Sequence, residues 1–217
     1  MHEDDRIAAL AAVFACPQAL ARRLDAKMAL QRFPHQGIVA HQGDEIRHCW
    51  LVIEGGAARR CLGADGQIGQ LVMHGPGEMF GAFPEPVRNR ADIVASGALT
   101  TLRIASADLA ALARAHAGLG AGLAATFARQ FDFVLDRMAA RTTLSAAGRV
   151  YAELLRLAGA EGRITPPPVL TALALSVQTT RETASRAVAV LERRGIVRRD
   201  EESLIVVSRR LLEELVV

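Results

Sequence analysis

The stretch from Thr179 to Arg194 carries Arg181, Glu182, Ser185 and Arg186 close together, in the run RETASR. Its apolar residues Ala184, Val188 and Leu191 recur at spacings of four and three, which predicts a helix with those residues buried and the four polar ones outward. An arginine fork donates two parallel hydrogen bonds to guanine O6 and N7, and a glutamate accepts from cytosine N4, so Arg181, Glu182 and Arg186 can read G/C base edges. Thr180 and Thr183 add hydroxyls of the kind that position a helix on phosphates without specifying sequence. From Gln178 to Arg199 there are six arginines (Arg181, Arg186, Arg193, Arg194, Arg198, Arg199) against two acids (Glu182, Glu192). That local excess is far steeper than the net charge of +3 over 217 residues, and suits a polyanion. The competing reading is a solvated helix whose arginines pair with neighbouring acids.

The flanking sequence supplies the elements to hold such a helix. Val169 to Ala174 reads as a short helix before it, and Gly195 as its C-cap. Val197 to Arg199 and Leu204 to Val207, joined through Asp200 to Ser203, read as a hairpin, and Ser208 to Leu215 as a last amphipathic helix. Two short helices with a tight link and a two-stranded wing form the layout that places a helix in the major groove of duplex DNA. Ahead of it, Gly159 to Pro168 breaks the pattern. A helix capped by Ser145 is expected to bury Val150, Leu154, Leu155 and Leu157.

The amino-terminal half has a different texture. Residues from Ile7 to Leu24 suggest one or two short helices broken at Cys16-Pro17. From Met28 to Ile104, short apolar runs (Ile38 to Ala40, Trp50 to Ile53, Gly69 to Met73, Ile93 to Ala95, Thr100 to Ile104) alternate with turn signals at Gln42-Gly43-Asp44, Gly55-Gly56, Asp65-Gly66 and Gly75-Pro76-Gly77. Such punctuation predicts an antiparallel, jelly-roll-like β-roll, and an α+β chain overall. Helix resumes with Ser106 or Asp108 as cap, and about His116 to Thr143 reads as one long helix. On it Phe127, Phe131, Val134 and Met138 follow at four, three and four, a short heptad seam that serves either dimerisation or packing onto the β domain. The expected division is residues 1–115, a long helix with hinge at 116–144, and 145–217.

Composition narrows the classes. No stretch approaches the roughly 20 apolar residues of a membrane helix, and the opening MHEDDRIAAL carries acids where a signal peptide carries cations, so a cytoplasmic protein off the membrane is expected. The pI is about 9.1, and among 26 basic residues only Lys27 is lysine. Cys16, Cys49 and Cys61 lack any CxxC pair, which argues against a disulfide framework or a zinc knuckle. Scarce aromatics leave few rings for stacking on single strands, so a duplex is the better partner. No P-loop, HExxH or GxSxG motif is present, and Asp132 and Asp136 read as solvated charges near Arg129 and Arg137, so an enzyme is not expected.

RETASR followed by LERRGIVRR resembles the recognition helix and wing of the CRP/FNR family of transcription regulators. RVYAELLRLA (Arg149 to Ala158) resembles that family's first helix after the hinge, GPGEMFGAF (Gly75 to Phe83) its cyclic-nucleotide cassette, and the segment from Gly43 to Ala57 its β-roll. The resemblance implies a homodimer joined along the long helix and a β-roll effector that shifts the DNA-binding domains. It further implies an inverted-repeat operator with TGTGA-like or TTGA-like half-sites, and RNA polymerase as partner if the regulator activates. Arg181-Glu182 looks like the cyclic-AMP receptor and Ser185-Arg186 like the fumarate-nitrate regulator. The turn glycine of the family is Gln178 here. In the cassette Gly81 and Arg90 match, whereas Ala82 stands for the acid, Ala91 for the hydroxyl, and Val134 and Leu135 for polar residues facing the purine. A buried sugar hydroxyl without its acceptor costs about 1–3 kcal/mol, so cyclic AMP is expected to bind weakly or not at all, leaving another effector or a pocket filled by side chains.

Two alternatives stay open. A haem sensor of the same family has His2, His35, His41, His48, His74 and Cys61 available as axial ligands, whereas an iron-sulfur cluster would need more amino-terminal cysteines than Cys16. A regulatory module of the cyclic-nucleotide type acting on a protein partner would need no recognition helix.

Overall fold

The computed structural model describes residues 2–62 and 68–217, so the Asp65-Gly66 turn lies outside the described residues. The chain divides into two compact units, Met1–Val134 and Leu135–Val217.

The first unit begins with helices α1 (Glu3–Val13) and α2 (Gln18–Asp25), which bury Ile7, Leu10, Leu20 and Leu24. Arg6 ties them together through a bidentate pair with Asp25 at 2.8 Å. The strands are β1 (Ala29–Phe33), β2 (Ile38–Ala40), β3 (Glu45–Ile46), β4 (His48–Leu62), β5 (Ile68–His74), β6 (Met79–Gly81), β7 (Val87–Arg88) and β8 (Asp92–Ala105). Among the described residues, β1, β8, β4 and β5 run side by side, with β2 on β8 and β6 on β4, and β3 pairs β7 separately; every pairing is antiparallel.

Two sequence-based expectations are corrected here. Gly55-Gly56 is not a turn: β4 runs through it, with the register against β8 shifting between Val52 and Gly56. The glycines are required by closeness, since a Cβ on Gly55 would stand 2.0 Å from the Ala98 carbonyl oxygen. Likewise the runs Ile93 to Ala95 and Thr100 to Ile104 are one strand, β8, continued across Gly97.

Helix α3 (Ser106–Ala115) starts without a side-chain cap. Ser106 instead donates to the Ala82 carbonyl at 2.8 Å, and Asp108 pairs with Lys27 at 2.7 Å. The long helix α4 (Ala117–Thr143) follows, and the boundary between the units falls within it. Gly122 lets it approach α1 closely, because a Cβ there would meet the Phe14 carbonyl oxygen at 2.0 Å.

The second unit contains α5 (Ala146–Ala158), β9 (Arg163–Ile164), α6 (Leu170–Ser176), α7 (Arg181–Arg193), β10 (Val197–Arg199), β11 (Leu204–Val206) and α8 (Arg209–Glu213). Ser145 caps α5 by accepting from the Gly148 amide at 3.0 Å. The buried face of α5 centres on Val150, Tyr151, Leu154 and Ala158. Leu157 falls on the flank of that face and is 37% exposed, contrary to expectation. The strands form a three-stranded sheet ordered β10-β11-β9, so the wing gains a third strand from the linker that the sequence pattern does not reveal. The fold is the expected one: an antiparallel β-roll, a long helix and a carboxy-terminal winged helix-turn-helix.

Candidate nucleic-acid interface and ligand cavity

Helix α7 is seated by Ala184, Ala187, Val188 and Leu191, all buried in the core of the second unit. That face fixes the other one: Arg181, Glu182 and Arg186 are exposed and Ser185 is half-buried. Among the described residues, none of the six arginines from Arg181 to Arg199 has a carboxylate within 4 Å, which removes the reading of a self-paired solvated helix. Arg186 donates to Thr183 Oγ1 at 3.5 Å, and without carboxylate partners the guanidiniums are able to meet an anionic surface.

Thr180 is the N-cap of α7: its hydroxyl accepts from the Thr183 amide at 3.2 Å and donates to Thr183 Oγ1 at 3.0 Å. The Thr180 proton is thus spent on the cap, and of the two threonines only Thr183 keeps a donor for a phosphate. On the wing, the Asp200 carboxylate accepts from the Ser203 and Glu202 amides at 2.7 and 3.0 Å. The Ser203 amide chiefly holds it below the usual carboxylate range.

The turn between α6 and α7 depends on Gln178 and on two arginines that sequence reading does not single out. Gln178 adopts the left-handed region, with φ of 52°, as expected of a residue standing at a glycine position. Arg149 of α5 donates to the carbonyls of Val177 at 2.9 Å, Gln178 at 3.2 Å and Leu144 at 3.1 Å. Arg137 of α4 donates to the Ser176 carbonyl. Two guanidiniums therefore occupy three successive carbonyls at the carboxy end of α6, where the helix dipole also favours cations. This clamp sets where the amino end of α7 begins.

In the first unit a cavity of about 380 Å³ lies between the β-roll and α4. Gly81 and Val134 line it, as do Phe127 and Phe131 of the seam; Ala82, Ala91 and Leu135 do not. Ala82 and Ala91 are buried in the β-roll, and Leu135 is exposed and belongs to the second unit. Arg90 borders an adjoining hollow with Arg88, which shares Arg59 and Gly81 with the cavity. Phe127 stacks on Phe83 at 5.7 Å within its own domain, while Phe131 and Met138 are 62% and 58% exposed.

The polar wall consists of Arg59, His74, Glu78 and Gln130. Gln130 docks on Met79 through both backbone groups, at 3.0 and 2.8 Å. Arg59 Nε donates to His74 Nε2 at 3.1 Å, so that nitrogen accepts and the ring proton is assigned to Nδ1. His74 is only 7% exposed, and burial, aided by the Arg59 charge, pushes its pKa down to about 3. Of the proposed haem ligands only His74 lines the cavity, and its Nε2 is occupied. Among the described residues no cluster of three or more His, Cys, Asp or Glu is arranged to hold a metal ion.

The depressed His74 pKa predicts a pH effect with a definite sign. The unfolded chain takes up a proton near pH 6.5 that the folded one refuses until about pH 3. Stability is full above pH 6.5 and declines as pH falls, by about 2 kcal/mol at pH 5. Thermal unfolding at pH 7 and pH 5 should show this loss, and His74→Gln should flatten it.

The family model "Cyclic nucleotide-binding domain" matches residues 30–116, and "Crp-like helix-turn-helix domain" matches residues 148–215. No curated protein matches the chain significantly. Among solved structures, FixK2 from Bradyrhizobium japonicum superposes with a TM-score of 0.78 at 20% identity, covering 87% of this chain and 96% of that one. A CooA variant from Carboxydothermus hydrogenoformans gives 0.76 at 18% identity, covering 90% of each chain. A CRP-family transcriptional regulator from Thermus thermophilus gives 0.69 at 23% identity, with 86% and 96% covered. At these identities the structural likeness speaks to the fold. Among the described residues no single helix is long and apolar enough to cross a membrane.

Proposed function

The chain belongs to the CRP/FNR family of transcription regulators, DNA-binding proteins with a cyclic-nucleotide-binding-like domain, and on that premise we propose that it acts as a homodimer on an inverted-repeat operator. Each α7 enters one major groove and reads G/C-containing positions with Arg181, Glu182 and Arg186, while Thr183 and the wing arginines hold phosphates. The observation that carries this reading is the row of exposed arginines, free of internal carboxylates, at the amino end and on the wing of a rigidly clamped helix. Selection of bound duplexes from a random pool tests it. The expected product is a two-fold-related pair of TGTGA-like or TTGA-like half-sites, and recovery of no common sequence would refute it.

Pairing is assigned to α4, along Phe131, Val134 and Met138, whose exposure leaves an apolar stripe that a second copy would cover. Phe127 contributes less, being turned toward Phe83. Met138→Asp should convert the dimer to a folded monomer in sedimentation analysis and reduce operator affinity at least tenfold, since one half-site contact is lost. An unchanged sedimentation coefficient would remove α4 as the seam.

The β-roll cavity is the effector site in this reading. Cyclic AMP is expected to bind it weakly, because the acid of the family's cassette is replaced by Ala82, which is buried in the β-roll, is not part of the cavity wall and brings no side-chain acceptor to it.

A further inference from the structure

Arg59 is a cation in an unusual setting. It lies on β4 facing the cavity, half-buried, and burial draws its pKa below the ordinary guanidinium value. Among the described residues its partner is the neutral His74 ring, and no carboxylate lies within 4 Å. Glu78, the acid on the same wall, accepts from the Gly75 amide at 2.9 Å and lies 3.8 Å from His74 Nδ1, the ring nitrogen opposite the one that Arg59 meets. A half-buried charge left without a counter-ion destabilises a fold unless something else meets it. The remaining donors of the guanidinium are available to whatever occupies the cavity.

The rest of the cavity is apolar. Met79, Phe80, Phe83, Phe127, Phe131 and Val72 form its walls. A volume of about 380 Å³ stands near the lower end of the roughly 300–1,000 Å³ common for small-ligand sites. From this pairing of one uncompensated guanidinium with an aromatic-walled chamber, we propose that the cavity binds a small amphipathic monoanion: a carboxylate on Arg59, carried by an apolar ring or chain among the phenylalanines. This rests on the reading above that the cavity is the regulator's effector site, and names the class of effector it would take. Arg88 and Arg90, on the adjoining hollow, raise the local positive potential and draw an anion toward Arg59.

The chain carries its own reporter. Trp50, the one tryptophan, stacks on Phe80 at 5.5 Å, and Phe80 lines the cavity. Fluorescence titration of the full-length protein with 3-phenylpropionate should show saturable quenching in the sub-millimolar range. The neutral 3-phenylpropanamide should bind at least tenfold more weakly, and acetate, a head without a body, should not saturate. Arg59→Met should bring the acid-to-amide ratio close to one and leave the melting temperature no lower than the parent's. The acid-to-amide ratio of the unaltered protein keeps the test decisive even if that variant misfolds. Equal binding of acid and amide, no binding of the acid, or cyclic AMP binding tighter than the acid would each overturn the proposal. Duplex selection with the same preparation separates the two failures: DNA bound without anion binding removes this inference alone, and anion binding without any DNA bound removes the operator reading alone.

Discussion

Replacing Arg181 and Arg186 together by alanine should lower the preference for the selected operator over unrelated duplex by about 2–6 kcal/mol, from about 1–3 kcal/mol for each bidentate base contact. Arg181→Ala alone should relax the preference at one position of the half-site, by about 1–3 kcal/mol. The fold should be untouched, because both side chains are exposed and neither helps the core formed by Ala184, Ala187, Val188 and Leu191. Competition binding at a fixed salt concentration measures the loss. An unchanged base preference in the single variant would mean that α7 does not lie in the groove. A uniform loss across all sequences would instead make these arginines phosphate contacts.

Arg149→Met should destabilise the second unit by about 3–5 kcal/mol. It removes three charge-assisted hydrogen bonds, to the Val177 and Gln178 carbonyls of the turn and the Leu144 carbonyl ahead of α5, and leaves those oxygens without these donors in partly buried surroundings. A loss of that size is a large share of the roughly 5–15 kcal/mol that holds a typical domain together. Chemical denaturation of the full chain should show a lower midpoint for the carboxy-terminal transition. Operator affinity should fall as well, since the turn fixes where α7 starts. A midpoint within experimental error of the parent's would show that the three carbonyls find water as good a partner as Arg149.

What is readable in the sequence is what depends on local period and on residue type. The spacing of Ala184, Val188 and Leu191 announces α7 and its two faces, and Gln178 announces a turn where a glycine is usual. Ser145 and Gly195 mark helix ends by chemistry that operates within one turn of chain. Where turn chemistry is read without its partner strand it misleads: Gly55-Gly56 looks like a hairpin loop, yet serves the near-contact of β4 with the Ala98 backbone. Ser106 resembles a cap by type, yet its hydroxyl is claimed by Ala82, a residue 24 positions earlier. The pair Arg59-Arg60 holds a further signal, because adjacent residues of a strand face opposite sides and one of two arginines in β4 must point inward.

By itself the sequence determined the class of the protein: a β-roll, a long helix, and a winged helix-turn-helix bearing an arginine-rich exposed face. Those follow from periodicity and from the chemistry of individual side chains, which are properties of neighbours along the chain. Only the tertiary structure decided which groups come together across long separations, such as Arg149 with the turn, Arg59 with His74, and the cavity wall that Arg59 shares with the phenylalanines of α4. The physical reason is that desolvation and pairing are set by three-dimensional surroundings. A guanidinium carries the same charge in every sequence, and only the folded environment makes one a clamp, leaves another exposed on α7 and seats a third on a cavity wall with no carboxylate in contact.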